Sequence, residues 1–350
     1  MAKFSEVLTI INGKNQSKVE NPYGKYPIYG SGGIMGYADD YICEPHTVII
    51  GRKGNINKPI FVETPFWNVD TAFGLCANRD VLLPRYLYYF CEQFDFEKLN
   101  TTVTIPSLTK ANLLNIEIIV PDMNIQEDIV SQLDKVQSII SLRKQQLLKL
   151  DELVKSRFIE MFGDRYTNDR NWESKPLHKC VDFYNGKAHE QVVDENGKYI
   201  LVTSRCIASD ITDYRRTNEL LFPLYINDIA MVMSDVPNGR ALAKCVLINE
   251  DGKYTLNQRI CCFRNYSFNA IFFYYLLNRH EYFLKFDDGN AQTNLRKDDL
   301  LACNIIIPPI ELQEQFAAFV EQVDKSKSEI QKSLEKLETL KKALMQKYFG

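Results

Sequence analysis

Sliding the chain over itself by 187 positions sets Leu108-Thr109-Lys110-Ala111-Asn112-Leu113-Leu114 against Leu295-Arg296-Lys297-Asp298-Asp299-Leu300-Leu301, and Ile118-Ile119-Val120-Pro121 against Ile305-Ile306-Ile307-Pro308. No gap is needed onward: residues 121–163 and 308–350 share 12 identities in 43 pairs, including Gln126-Glu127 with Gln313-Glu314 and the closing Phe162-Gly163 with Phe349-Gly350. The starts correspond too, at an offset of 173, where Phe4 precedes Ile11-Asn12-Gly13-Lys14 as Leu177 precedes Tyr184-Asn185-Gly186-Lys187. The 350 residues therefore form two related halves, the second 14 residues longer between these anchors. A fold that treats the chain as a single unrepeated unit is excluded.

Each half closes on an apolar run suited to a strand (116–120 and 303–307), a proline that a central strand rejects, and a long helical pattern. Ile129, Leu133, Val136, Ile140, Arg143, Leu147, Leu150, Val154, Arg157 and Met161 alternate by four and three. The matching positions are Phe316, Val320, Val323, Lys327, Ile330, Leu334, Leu337, Lys341, Leu344 and Tyr348. Eight of ten are apolar in each set, a heptad seam of the kind that packs helices at shallow angles. Two unrelated amphipathic helices on separate cores would also carry stripes, but equal length, register and ending favour helices that pack on each other. With the halves related by pseudo-twofold symmetry, the pair is an antiparallel coiled coil. About 38 residues at 1.5 Å each make a rod of roughly 57 Å, a spacer. The charged seam residues Arg143, Arg157, Lys327 and Lys341 are expected to set register or to snorkel.

Residues 1–120 and 164–307 read differently, as short runs of Tyr, Phe, Val and Ile punctuated by glycine, proline and asparagine. The expected class is α+β: two tandem globular domains, 1–120 and 164–307, each followed by a spacer helix, 121–163 and 308–350. A short helix is expected in each domain, at Pro84–Gln93 and Ala270–Arg279. Tyr26, Tyr29 and Tyr37 are expected in the core, since tyrosine in strand-like alternation packs. The polar stretch Asp164–Ser174 reads as a plain link.

Composition narrows the class further. Twenty Phe and 19 Tyr exclude low-complexity disorder, and no apolar run approaches the roughly 18 residues of a membrane span. Met1–Glu6 lacks a signal-peptide layout. Nine cysteines without a C-x-x-C pair read as buried thiols of a cytoplasmic protein. A formal charge of −3 excludes a uniformly cationic surface but leaves room for a local basic patch.

Catalytic templates fail here. His46, His178, His189 and His280 are scattered, and Cys43-x-x-His46 has no second ligand pair from Cys76 or Cys91, so no zinc site is expected. Asn21-Pro22-Tyr23 matches half of the Asn-Pro-Pro-Tyr motif of amino-methyltransferases, without the second proline and without a glycine-rich cofactor loop. Gly30-Ser31-Gly32-Gly33 lacks the Lys and Ser/Thr of a phosphate loop and reads as a turn where backbone must approach something closely.

Nucleic acid suits that role. Arginine, lysine and amides sit beside glycine in Gly51-Arg52-Lys53-Gly54-Asn55, in Asn238-Gly239-Arg240 and in residues 290–297. Arg and Lys read guanine edges or hold phosphates, and Asn or Gln can bond adenine twice. Each loop alone is also what a solvated turn looks like. Two such domains on a spacer form a device for reading two half-sites of a duplex, and because the halves differ, the target is expected to be asymmetric.

Tyr26-Pro27-Ile28-Tyr29-Gly30-Ser31-Gly32-Gly33-Ile34-Met35-Gly36-Tyr37, then Thr47–Asn55, then Phe66-Trp67-Asn68-Val69-Asp70-Thr71-Ala72 resembles the target-recognition domain of the specificity subunit of type I restriction-modification systems. The resemblance covers essentially the whole chain, as recognition domain, helix, recognition domain, helix, with Pro-x4-Gln-Glu opening each helix. The second domain matches less closely: it keeps Trp172, Asn185-Gly186-Lys187, Leu256-Asn257-Gln258 and the 295–308 exit, but has no Tyr-Gly-Ser-Gly-Gly segment. The resemblance implies a non-catalytic subunit that binds a bipartite double-stranded DNA sequence with an unspecified gap. It implies two modification subunits docked on it, carrying S-adenosylmethionine and methylating adenine; restriction subunits that cleave DNA with ATP and Mg can join such a complex, and the sequence leaves open whether one does. No cofactor is expected in this chain.

Candidate DNA contacts in the first domain are Ser31, Gly32, Gly33, Arg52, Lys53, Asn55, Thr101, Thr102 and Thr104. In the second they are Ser204, Arg205, Arg215, Arg216, Asn238, Arg240, Gln292, Asn294 and Arg296. The competing classes are a duplicated scaffold that binds protein or sugar, and a freestanding methyltransferase, which the missing cofactor loop disfavours.

Overall fold

The computed structural model describes residues 1–99, 107–235, 241–287 and 293–350. The chain divides into two compact units, Met1–Gln145 with Ile330–Gly350, and Gln146–Glu329. The division falls within the two long helices, Met123–Phe162 and Ile310–Phe349, so each unit owns part of both.

In the first unit an antiparallel sheet runs in the order Leu8–Asn12, Ala72–Ala77, Thr47–Gly51, Ile60–Val62. Beside it lies a three-stranded sheet, Gly33–Ala38, Tyr26–Gly30, Trp67–Asn68, whose last pair is parallel. Val48-Ile49-Ile50 is continuously apolar because apolar clusters cover both faces of its sheet. Val48 and Ile50 join Phe73, Leu75 and helix Pro84–Gln93, whereas Ile49 joins Cys43, Val62 and Phe66. The period of two in a strand sorts them.

The second unit repeats the plan. Its sheets run Asp182–Asn185, Ile260–Arg264, Ile229–Val232, Cys245–Leu247, and Arg215–Thr217, Tyr199–Val202, Tyr254–Leu256. The alternation recurs: Ile229 and Met231 face the cluster of Phe272 and Phe316, and Ala230 and Val232 face Ile200 and Leu256. The short helices expected from sequence are Pro84–Gln93, with proline at its first position, and Ala270–Leu277, capped by Asn269 Oδ1 accepting from the amides of Ile271 and Phe272 at 3.0 and 3.2 Å.

The repeat has steric reasons. A Cβ on Gly13 would stand 1.8 Å from the Val69 carbonyl oxygen, and one on Gly186 would stand 2.0 Å from that of Asn257. Only glycine tolerates such an approach. A second pair, absent from the sequence comparison, is Gly24-Lys25-Tyr26 and Gly197-Lys198-Tyr199, where a Cβ on either glycine meets the backbone of the adjacent strand within about 2.5 Å.

Gln126 and Gln313 explain the Pro-x4-Gln-Glu motif. Gln126 Nε2 donates to the carbonyls of Val81 and Pro121, both at 2.8 Å, while its Oε1 accepts from Leu83 N at 2.9 Å. Gln313 repeats this toward Pro308 O at 2.8 Å and Asn269 N at 2.9 Å. Each buried amide thus ties the start of a long helix to the approach to a short one.

Within each unit the long helices run antiparallel. In the first, Tyr348 donates to Gln132 at 2.9 Å, Lys341 to Gln137 at 2.8 Å, and Lys144 pairs with Glu338 at 3.0 Å. In the second, Lys327 pairs with Asp151 at 2.5 Å and Arg157 lies over the Phe319 ring at 5.8 Å. Leu133, Val136, Ile140, Val154, Val320, Val323 and Leu334 are buried, and Leu147, Leu150, Ile330, Leu337 and Leu344 half-buried. At each helix end the packed stripe leaves the heptad: buried Phe158 and Phe162 follow Val154, and buried Met345 and half-buried Phe349 follow Lys341. Steps of four turn the stripe onto the short helix, where Phe162 meets Phe272 at 4.7 Å and Phe349 meets Tyr86 at 5.0 Å.

Two expectations are corrected. Asp164–Ser174 is no plain link. Arg165 donates to the carbonyls of Tyr275, Leu276, Asn278 and Arg279, satisfying the C-terminal end of helix Ala270–Leu277, and pairs with Glu281 at 3.0 Å. Trp172 Nε1 donates to Phe162 O at 2.8 Å. Tyr37 is 44% exposed rather than core, because it lies on the outer strand of a three-stranded sheet; Tyr26 and Tyr29 are half-buried.

Candidate nucleic-acid interface

Strand Thr47–Gly51 leaves the first sheet into the exposed turn Arg52-Lys53-Gly54-Asn55. The Arg52 backbone is held on both sides: its amide donates to Thr71 O at 2.7 Å and its carbonyl accepts from Leu108 N at 2.9 Å. Lys53 bridges Ser107. The backbone is fixed while the side chains stay outside, with the Arg52 guanidinium over the Phe73 ring at 5.8 Å. The hairpin Tyr26–Gly30/Gly33–Ala38 turns at Ser31-Gly32 against this loop, since a Cβ on Gly51 would stand 2.9 Å from Ser31 Cβ. At Gly32 and Gly33 a Cβ would meet nothing within 4 Å, and Gly33 has φ +117°. The structure thus brings Ser31, Gly32, Gly33, Arg52, Lys53 and Asn55 to one corner. Thr101, Thr102 and Thr104 lie outside the described residues.

The second unit builds the same corner with different side chains. Met233 donates to Arg259 O at 3.0 Å and accepts from Leu295 N at 2.7 Å, and Ser234–Asp235 pairs with Thr293–Asn294. Met233 therefore stands where Arg52 stands, and Leu295 where Leu108 stands. Asn294 and Arg296 are exposed here, Arg296 preceding the helix Lys297–Leu301. Asn238, Arg240 and Gln292 lie outside the described residues.

The hairpin is replaced. After Tyr199–Val202, Thr203 caps a helix, Ser204–Ala208, and the chain returns through Arg215–Thr217. Ser204 and Arg205 begin that helix, with Arg205 paired to Asp213 at 2.5 Å. Arg216 is held flat, over Tyr214 at 5.2 Å and donating to Gly197 O at 3.3 Å, while Arg215 beside it is exposed. Arg205, Arg215 and Arg216 line a hollow of about 550 Å³ with Val193, Glu195, Asp213 and Tyr214. Arg215 and Arg216 lie on the three-stranded sheet, and Asn294 on the strand paired with Ser234–Asp235.

Sequence reasoning missed Phe73 and Met233, and Tyr214 beneath Arg216. The first two are set by cross-strand register and carry no local signal; Tyr214-Arg215-Arg216 is an aromatic–basic run that could have been singled out. Burial, reinforced by neighbouring Tyr37, raises the Tyr29 pKa, so it keeps its proton at neutral pH. The nine cysteines are free thiols, and burial pushes Cys43 up to about 12. Among the described residues no three His, Cys, Asp or Glu side chains converge as a metal set, and no helix is long and apolar enough to cross a membrane.

The model of a family described as the type I restriction modification DNA specificity domain matches residues 1–152 and 169–342. A curated protein of Haemophilus influenzae named as a type I restriction enzyme specificity subunit is 26% identical over 147 residues, 39% of this chain. The match spans about 37% of that relative's length. The crystal structure of a type I restriction-modification S subunit from M. genitalium aligns over 100% of this chain and 95% of its own, with a TM-score of 0.60 at 17% identity. A chain solved for the complex assembly and conformational transition of a type I system aligns over 99% and 96%, with a TM-score of 0.61 at 14% identity. These two share the fold. Nothing in the matches supports a protein- or sugar-binding scaffold. With the family model covering both halves, and both halves building the same loop corner, the chain belongs to the type I restriction modification DNA specificity domain family.

Proposed function

We propose that this chain is the specificity subunit of a type I restriction-modification complex. It recognises an asymmetric bipartite sequence in double-stranded DNA, one part through residues of 1–120 and the other through residues of 164–307. It directs two modification subunits to methylate adenine, with restriction subunits able to join. In this reading the chain is not itself catalytic: S-adenosylmethionine, ATP and Mg belong to the partners. The observation that carries the proposal is the repeated corner, in which equivalent backbone bonds hold equivalent loops while their side chains differ, Arg52 against Met233. A conserved frame with exchanged readers is what two different half-sites require.

The test is DNA binding by the assembled complex with Arg52→Ala. Loss of a bidentate base contact costs about 1–3 kcal/mol of discrimination, and binding by the wild-type complex is expected to weaken steeply as salt rises. Binding of both proteins that is indifferent to sequence and salt would overturn the reading.

A further inference from the structure

The hairpin of the first unit carries an apolar pair beyond its turn. Ile34 and Met35 are 56% and 64% exposed, although neighbours in a regular strand face opposite sides. The cause is a bulge: Ile28 pairs with Gly36 and Tyr29 with Ile34, which leaves Met35 as the extra residue. Bulges re-aim side chains. Met35 lies across Gly30, its Sδ 2.6 Å from where a Gly30 Cβ would stand, and at the neighbouring Gly32 and Gly33 a Cβ would meet nothing within 4 Å. Ser31, at the tip, abuts Gly51, so the pair shares its end of the hairpin with the Arg52-Lys53 loop.

Solvent gives no reason to expose two large apolar side chains at a hairpin tip. A DNA major groove does: it admits a two-stranded β-ribbon, its phosphates and guanine edges suit Arg52 and Lys53, and the thymine C5-methyl presents an apolar group there. We propose that Ile34 and Met35 are specificity-determining residues that seat thymine methyl groups in the half-site read by the first unit. The proposal rests on the reading of the chain as a DNA specificity subunit and names a base feature it selects. The occupant is DNA rather than a protein because the pair is continuous with the cationic loop. The second unit has a capped helix, Ser204–Ala208, at this point, so the contact belongs to one half-site.

The experiment uses the full chain assembled with its modification subunits, and duplexes of the mapped target in which each thymine in turn is replaced by deoxyuridine. For the wild type, affinity is expected to fall about fourfold per lost methyl at one or two positions of one half-site. The Ile34→Ala/Met35→Ala double variant is expected to bind the unmodified duplex more weakly and to ignore those replacements, while responding normally in the other half-site. Both residues are exposed, so its melting temperature is expected to match the wild type. Arg52→Ala is expected to keep the methyl sensitivity. A variant with the wild-type deoxyuridine profile overturns the proposal, as does a wild-type profile flat in one half-site and unchanged by the variant in the other. A variant that loses its modification subunits while keeping methyl sensitivity overturns it in favour of a protein occupant. A complex with no sequence-specific binding overturns the functional reading as well, whereas specific binding with a flat scan overturns this inference alone.

Discussion

Gly13 and Gly186 were legible as a repeated Asn-Gly-Lys, but their reason was not, because the obstructing carbonyls belong to Val69 and Asn257, distant in sequence. Gly186→Ala is expected to cost more than about 2 kcal/mol, since a Cβ at 2.0 Å forces the backbone to shift; urea unfolding of the full chain checks this, and a change under about 0.5 kcal/mol contradicts it. His280 is a second case. Fully buried, it accepts a hydrogen bond from Tyr282 N at 3.1 Å through Nδ1, and burial together with Arg165 lowers its pKa from 6.5 to about 4. A lowered histidine pKa means the unfolded chain binds the proton first. Stability is therefore full above pH 6.5, falls as the pH drops from 6.5 toward 4, and levels off below, by roughly 3 kcal/mol in all. His280→Asn retains a capping acceptor without a titrating ring, so melting curves across that window are expected to flatten. An unchanged acid slope would assign the loss to other groups.

Elements were more readable than contacts. Helix Pro84–Gln93 and the helix from Ala270 followed from local pattern, and the long helices from their heptads, because amphipathic periodicity lies within each segment. The steps of four at Phe158–Phe162 and Met345–Phe349 departed from the heptad because the partner there is a short helix, not the other long one. Arg165 was unreadable for a similar reason: its carbonyl partners lie about a third of the chain away. Gln126 shows an element-level dependence. Gln126→Leu leaves Leu83 N and the Val81 and Pro121 carbonyls without their side-chain partner, and is expected to cost about 2–4 kcal/mol. Gln313→Leu is expected to do the same in the second unit. Denaturant midpoints that fail to move would reduce both amides to bystanders.

At the scale of the molecule the sequence showed a duplicated frame, and the structure shows where the copies diverge: a two-residue turn becomes a capped helix, and Arg52 becomes Met233. Of the candidate contacts, Ser31–Gly33 with Arg52–Asn55, and Arg205 with Arg215–Arg216, come together, and Asn294 lies on the strand paired with Ser234–Asp235. Turn composition marks such residues but carries no information on which turns meet. Removing seven residues from each long helix at equivalent positions keeps the seam in register and shortens it by about 10 Å. The gap between half-sites is then expected to lose about three base pairs. A mapped target with its original gap would separate gap length from helix length.

The central claim is that this chain selects the DNA sequence on which a partner acts. Its most direct test is to express the chain with an adjacently encoded adenine methyltransferase, map methylated adenines by single-molecule sequencing, and repeat the map with the chain deleted. The account predicts an asymmetric two-part motif, separated by a fixed gap, that disappears with the deletion. A methylation pattern unchanged by the deletion, or none despite a stable complex of chain and methyltransferase, would contradict it.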